Sequence, residues 1–315
     1  MKSIVTLTPN PAIDISTSVE EIVPVRKLRC AEARRDPGGG GINVARVVQR
    51  LGGVVSAIYP AGGARGELLR RLVEREGIRS FAISVAEETR EDFTVLEQTS
   101  GKQYRFVLPG SPLSEAEWHA CLDTLESMDT VPPFIVCSGS LPPGVPDDFY
   151  ARVARFAKTH GSKLVLDTSG TPLADALREG VYMMKPNLRE LQELAKTPLD
   201  DQQAWLAAGR RLIDSGAAEI IALTLADKGS LLMTREGALR ASVPDVKVMS
   251  TVGAGDSFVG GLVWALASGH NTVEAFKWGV AAGTAAVLNP GTELCHADDV
   301  ARLVEQVDPV RISST

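Results

Sequence analysis

Strand-length apolar runs alternate with helical patterns along most of the chain, and this alternation restricts the fold more than any other feature. Ile4 to Leu7, Val55 to Tyr59, Phe134 to Cys137, Leu164 to Leu166, Val181 to Met184 and Ile220 to Leu225 are compact apolar runs. Strands buried on both faces of a parallel sheet read this way. Between them Val44, Val48 and Leu51 fall at i, i+4 and i+7, and Leu188, Leu191 and Leu194 repeat every three residues, which lays apolar side chains along one helix face. The pattern predicts an α/β fold: a doubly wound, mostly parallel sheet with helices on both faces. Two segments depart from it. Residues from about Asp14 to Arg29 and from about Phe81 to Leu108 carry no good helical pattern, while Phe93 and Val95, then Tyr104, Phe106 and Leu108, alternate across the turn Ser100-Gly101. These predict a small β-sheet lid, inserted from about 14–30 and 81–109. The 315 residues leave room for two domains, but without a low-complexity linker the expectation is one α/β domain over 1–315 carrying that lid. The C-terminal third adds hairpin-like runs at Ser230 to Thr234 and Ala238 to Val243, a strand at Val246 to Met249 and two long helices, one after Gly255 and one from about Val273 to Leu288.

Composition narrows the function classes. With 33 Lys and Arg against 39 Asp and Glu the net charge is −6, which argues against general affinity for nucleic acid or anionic membranes. No apolar stretch reaches the roughly 18 residues of a membrane span, and the apolar run near the N-terminus is too short for a signal-peptide core. The four cysteines, Cys30, Cys121, Cys137 and Cys295, are far apart and form no CxxC pair, as suits reduced thiols in a cytoplasmic protein. There is no GxxxxGK[ST], HExxH, GxSxG or GxGxxG after the first strand, which weakens the P-loop, zinc-protease, α/β-hydrolase and dinucleotide readings.

Three glycine-rich or polar turns remain, each at a strand's expected carboxyl end, where open α/β sheets bind ligands. Thr251-Val252-Gly253-Ala254-Gly255-Asp256 opens a helix. Successive backbone N–H groups there suit anionic oxygens, and Asp256 would set a carboxylate beside them, able to accept a proton from an attacking hydroxyl. Alternatively, Asp256 only caps the helix. Pro37-Gly38-Gly39-Gly40-Gly41-Ile42-Asn43 exposes backbone donors before another helix, with Asn43 able to donate and accept; as a lone feature it reads equally as a flexible loop. In Lys185-Pro186-Asn187-Leu188-Arg189-Glu190 the proline starts a helix, so Asn187 and Glu190 share its first turn. That suits hydrated Mg²⁺, although a first-turn acid is also ordinary helix chemistry.

Together these motifs resemble the ribokinase-like, PfkB-type sugar kinases, in order and spacing across the whole chain. The likeness is greatest to the second-type 6-phosphofructokinases: TLTPNPAID with Asp14, KLRC at Lys27 to Cys30, PGGGGINVAR at Pro37 to Arg46, YRFVLPG at Tyr104 to Gly110, SGSLPPG at Ser138 to Gly144, and GTELC at Gly291 to Cys295. The related 1-phosphofructokinases and tagatose-6-phosphate kinases usually carry Lys at the third glycine of the run, and Gly40 favours the 6-phosphofructokinase branch. The resemblance implies ATP-dependent phosphorylation of the C1 hydroxyl of fructose 6-phosphate, with Asp256 as general base and Gly253, Ala254 and Gly255 as anion hole. It implies sugar contacts from Asp14, Gly39, Gly40 and Asn43, and phosphate contacts from Lys27, Arg29, Arg90 and Ser138, with Ser140 an alternative to Ser138. MgATP would be served by Lys185, Asn187, Glu190, Thr224, Lys228, Gly229, Thr251, Val280 and Thr284. A K⁺ site would use backbone carbonyls near Ser250, Val252, Ala286, Asn289 and Gly291. A homodimer through the β lid is also implied. Ala226, where the family usually has Gly, and Glu293, where some members have Arg, are departures. They keep open a non-catalytic sugar-phosphate or nucleotide sensor beside the two related kinase activities.

Overall fold

A computed structural model describes residues 1–312. In chain order the elements are β1 (Ile4–Leu7), β2 (Ala12–Val19), β3 (Arg34–Gly38), α1 (Gly40–Arg50), β4 (Val55–Gly62), α2 (Gly63–Arg75), β5 (Arg79–Val85), β6 (Arg90–Glu97) and β7 (Gln103–Phe106). Next come α3 (Glu115–Glu126), β8 (Phe134–Ser138), α4 (Phe149–His160), β9 (Lys163–Asp167), α5 (Gly170–Glu179), β10 (Val181–Met184), α6 (Leu188–Ala195) and α7 (Gln202–Asp214). The chain ends with β11 (Ala218–Thr224), β12 (Ser230–Thr234), β13 (Gly237–Ala241), α8 (Ala254–Ala267), α9 (Thr272–Ala286), α10 (Ala297–Val304) and β14 (Val310–Ile312).

The expected α/β architecture is present. A 10-stranded sheet runs β14-β13-β12-β11-β10-β9-β8-β1-β4-β5, parallel from β5 to β11 and antiparallel from β11 to β14. Its inner strands are mostly apolar because helices cover both faces. One core packs the sheet against α1, α2, α8, α9 and α10, with Val47, Phe258 and Phe276 fully or almost fully buried. A second packs the other face against α3 to α7 through Trp118, Phe149, Leu177 and Leu206. The chain moves outward from β1 in both directions, to β4 and β5 on one side and to β8, β9, β10 and β11 on the other. The crevice beyond the carboxyl ends of β1 and β8 is therefore the topological switch point at which such folds bind ligands.

A separate 4-stranded sheet, β3-β2-β6-β7, stands over that end. Its composition corrects the expected boundaries. Phe81 to Val85 belongs to β5, paired in parallel with β4 in the main sheet, whereas Arg34–Gly38 pairs antiparallel with β2 in the small one. Charge misled the reading at β3: RRDPG has no apolar alternation, yet it is held by β2 on one side. The expected strand at Val246 to Met249 is absent. β14 occupies the edge of β13 where it would have added, and Met249 instead donates its N–H to Val287 O at the end of α9. No helix among the described residues is long and apolar enough to cross a membrane.

Candidate active site

The α8 N-terminus organises the site. Gly253 adopts φ 75° and caps the helix with no side-chain hydrogen bond, a left-handed turn that favours glycine. The first intrahelical bond comes from Ser257 N–H, so the N–H groups of Ala254, Gly255 and Asp256 have no helical acceptor and the dipole attracts negative charge among them. Asp256 stands in this first turn, where its Oδ2 accepts a 2.9 Å hydrogen bond from Asn43 Nδ2. Burial pushes its carboxyl up to about 7, Asp167 adding to the rise and Asp14 weakly, while the Asn43 bond and Lys185 oppose it. Such a group sits where a general base is useful near neutral pH.

Gly40, at the start of α1, closes the wall opposite. A Cβ there would lie 2.1 Å from Ser138 Oγ and 3.1 Å from Asp256 Oδ1, so any side chain displaces both. Ser138 ends β8 and is buried, whereas Ser140 is exposed and its hydroxyl accepts a bond from Asn10 Nδ2. Asp14, on β2 of the small sheet, has its carboxyl raised to about 6 by burial and by Asp92, with Arg46, Arg105 and Arg90 pulling it down. Arg90 ion-pairs with Asp92 at 3.1 Å and donates to the carbonyls of Leu108 and Asn10. Gly39 precedes α1 as its N-cap.

On the other side Lys185 Nζ is buried 3.1 Å from Asp167 Oδ1 and comes within 3.6 Å of where a Cβ on Gly255 would be. Burial alone would lower its pKa, but Asp167, Glu190 and Asp256 together raise it. Asn187 is the N-cap of α6 rather than a first-turn residue. Its Oδ1 accepts from Glu190 N–H while Glu190 Oε2 accepts from Asn187 N–H, a capping box. Proline thus precedes the cap here. The second carboxylate oxygen of Glu190 has no hydrogen-bond partner among the described residues, and burial raises this carboxyl. Thr224 bridges to Asn187 across the adjoining strand ends.

The remaining expected residues divide. Lys27 and Arg29 are exposed on the connection from β2 to β3 and make no hydrogen bond or ion pair among the described residues. Lys228 and Thr251 are exposed, and Gly229 is buried against Ala241 O. Val280 and Thr284 are enclosed in α9, where the Thr284 hydroxyl donates to Val280 O; this places them in the helix packing rather than on an open cleft wall. The segments bearing Ser250 and Val252, and Ala286, Asn289 and Gly291, lie together: Ser250 Oγ donates to Gly291 O at 2.8 Å and Asn289 N–H to Ala286 O. Two residues escaped the sequence reading. Asp167 could have been found as an acid at a strand's carboxyl end level with the other motifs. Arg46, wholly buried beside Asn43, could not, because an arginine in an amphipathic helix reads as surface.

Both departures have structural counterparts. Ala226 has φ 54°, a left-handed conformation that costs an L-residue roughly 1–2 kcal/mol. Ala226→Gly is therefore expected to raise Tm by roughly 1–3 °C, measured by calorimetry. Glu293 ion-pairs with Arg34 of β3 and accepts from His296, tying the small sheet to the loop before α10.

The pfkB family of carbohydrate kinases matches residues 7–299. The chain belongs to that family. Among pfkB relatives, the ATP-dependent 6-phosphofructokinase isozyme 2 of Mycobacterium tuberculosis is 46% identical over 302 residues, covering 96% of this chain and 89% of the relative. The 1-phosphofructokinase of Borreliella burgdorferi is 31% identical over 304 residues, covering 96% and 97%. Escherichia coli phosphofructokinase-2 in complex with fructose-6-phosphate superposes with a TM-score of 0.92 at 37% identity, over 97% of this chain and 99% of that one. A structure of the same protein with potassium gives 0.92 at 38% identity over the same shares. As a pfkB kinase the chain uses ATP and a divalent cation in general terms, and the fold of its main sheet is the ribokinase-like one.

Proposed function

We propose that the protein transfers the γ-phosphoryl group of ATP to the C1 hydroxyl of fructose 6-phosphate. The observation that carries this is the meeting of the Asp256 carboxylate, the uncapped α8 N-terminus, Gly40 and Ser138 at the sheet's switch point, with Lys185 on one side and the small sheet on the other. Asp256 takes the C1 proton as the C1 oxygen forms its bond to the γ-phosphorus and the bond to the β,γ-bridging oxygen breaks, releasing ADP. The N–H groups of Ala254, Gly255 and Asp256 and the Lys185 ammonium hold the charge on the phosphoryl oxygens, where fixed donors contribute most. Asp14 and Asn43 orient the sugar hydroxyls, with Gly39 and Gly40 giving it room. Arg90 and Ser138 take its phosphate.

Magnesium fits the donor set: Glu190 keeps one carboxylate oxygen outside the capping box, with Asn187 beside it, and Mg²⁺ is bound by few protein oxygens plus water and phosphate. Bound there, it supplies further neutralisation of the nucleotide's phosphates. A K⁺ site also fits, since the carbonyls of Ala286 and Gly291 each accept one bond and a carbonyl has two lone pairs; Ser250, Val252 and Asn289 would complete it. Thr224, Lys228, Gly229 and Thr251 border the nucleotide, with Val280 and Thr284 behind it. The small sheet serves as a lid, and the enzyme works in the cytoplasm.

Gly40, where the related 1-phosphofructokinases and tagatose-6-phosphate kinases usually carry Lys, favours this substrate over fructose 1-phosphate and tagatose 6-phosphate. A coupled assay with MgATP on the three sugar phosphates is expected to give the highest kcat/KM with fructose 6-phosphate; a higher value for either of the others reassigns the substrate. Calorimetric binding of nucleotide and sugar phosphate with no bisphosphate formed would instead support a sensor.

The lid also supports a homodimer. Phe106, Val107 and Leu108 are 54%, 60% and 44% exposed, and Val25 and Leu28 project from the same sheet's connection, more apolar surface than a lone sheet edge leaves to water. Light scattering at micromolar concentration is expected to give a dimer mass, and Phe106→Asp a monomer.

A further inference from the structure

We propose that Arg46 is a positioning residue for catalysis: from the buried side of α1 it fixes the amide of Asn43 so that Asn43 donates to Asp256. This rests on the assignment of Asp256 as general base.

Arg46 is wholly buried, and all three of its guanidinium nitrogens donate hydrogen bonds. Nε donates to Glu76 Oε1 at 2.8 Å and Nη2 to Asp36 Oδ1 at 3.4 Å. Nη1 faces Asn43 Oδ1 at 3.2 Å, Pro37 O at 3.1 Å and Thr292 O at 3.4 Å. A buried arginine is stable only with such partners. The two acids take Nε and Nη2, the carbonyls of Pro37 and Thr292 could take both hydrogens of Nη1, and the further bond to Asn43 Oδ1 has a consequence beyond burying the charge.

That consequence follows from donor and acceptor chemistry. A side-chain amide can turn over, presenting either its oxygen or its NH₂ to a given neighbour. Guanidinium only donates, so the Asn43 atom facing Arg46 must be the oxygen. The NH₂ is then turned toward Asp256, 2.9 Å from Oδ2. In the reversed orientation the amide oxygen would face the carboxylate and repel its charged form. Arg46 thus acts one bond removed from the reacting atoms. The charged groups around Asp256 are Asp167 of β9 and Lys185 after β10, with a smaller influence from Asp14 of β2; those around Arg46 are Glu76 after α2, Asp36 of β3 and Arg50 of α1, together with Asp14, whose carboxyl Arg46 pulls down.

The test compares wild type, Arg46→Lys, Asn43→Ala and the double variant, following kcat and KM for fructose 6-phosphate from pH 5.5 to 9. A lysine keeps a positive charge between Asp36 and Glu76 but lacks the fork that also reaches Asn43. Arg46→Lys should lower kcat roughly tenfold, the loss of one hydrogen bond to a charged group, with KM changed much less. Its acidic limb should move to higher pH, since the bond that favours ionised Asp256 is gone. Adding Arg46→Lys to Asn43→Ala should change neither kcat nor the limb further. Glu76→Gln provides the control for a purely structural role: its amide oxygen still accepts from Nε, so Tm falls while the limb stays. An unmoved limb in Arg46→Lys, or effects that add to those of Asn43→Ala, overturns the proposal. Should Arg46→Lys fail to fold, Asp36→Asn, Glu76→Gln and Asn43→Ala still decide: a limb shifted equally by all three makes the network merely structural. A wild type with no turnover on any sugar phosphate would instead sink the functional reading on which this rests.

Discussion

Asp256→Asn is expected to lower kcat for fructose 6-phosphate by roughly 10³-fold, within the 10²–10⁴ range of a positioned general base, and to leave KM within a few-fold of wild type. The amide retains the shape of the carboxylate beside Gly40 and Ser138 but cannot take the C1 proton. Near-normal turnover in a steady-state assay would remove Asp256 from the mechanism. The same variant carries an independent thermodynamic signature. Asp256 has its folded-state pKa raised to about 7 from 3.8, so between those values the folded protein holds a proton that the unfolded chain has released. Stability from this group is present at low pH and declines as pH rises through that window. The substituted amide stays neutral throughout. The variant is therefore expected to melt above wild type at pH 8, the gain shrinking toward zero near pH 4; equal Tm values at pH 8 would mean that the carboxylate is not strained by burial.

The sheet and the three turns were legible because each depends on local chemistry. Apolar runs betray strands covered on both faces, and glycine before a helix marks uncapped backbone donors. Legibility ended where a long-range partner decides the outcome. RRDPG at Arg34–Gly38 has the composition of a loop, and only β2 makes it a strand; VKVM at Val246 to Met249 has the composition of a strand, and β14 denies it an edge. The same distinction runs through the site. Asp256, Asn43 and Lys185 stand in recognisable turns, but Arg46 is drawn inside by Glu76, Asp36 and Thr292 from three other segments. Lys27 and Arg29 illustrate the opposite limit. The family resemblance assigns them to a phosphate, while a single chain leaves them in solvent.

Asp167 bears on the second large effect, expected for Lys185→Met. The Lys185 ammonium is buried 3.1 Å from Asp167 Oδ1, beside the α8 N-terminus proposed to hold the phosphoryl oxygens. Removing it leaves Asp167 unpaired in a site where its charge already raises Asp256. Breaking a buried pair from one side costs about 3 kcal/mol, which calorimetry would record as a lower Tm. Turnover should fall by roughly 10³-fold, because neutralisation at the transferring group is lost together with Asp256 ionisation. The acidic limb moves upward for the second reason. Adding Asp167→Asn separates these effects: with the carboxylate that Lys185 directly pairs neutralised, the double variant should recover part of the lost Tm, and with no ammonium at the phosphoryl oxygens it should not recover kcat. If the double variant regained turnover along with stability, Lys185 would serve only to neutralise Asp167, and the charge on the transferring phosphoryl group would rest on the α8 N–H groups and the bound cation.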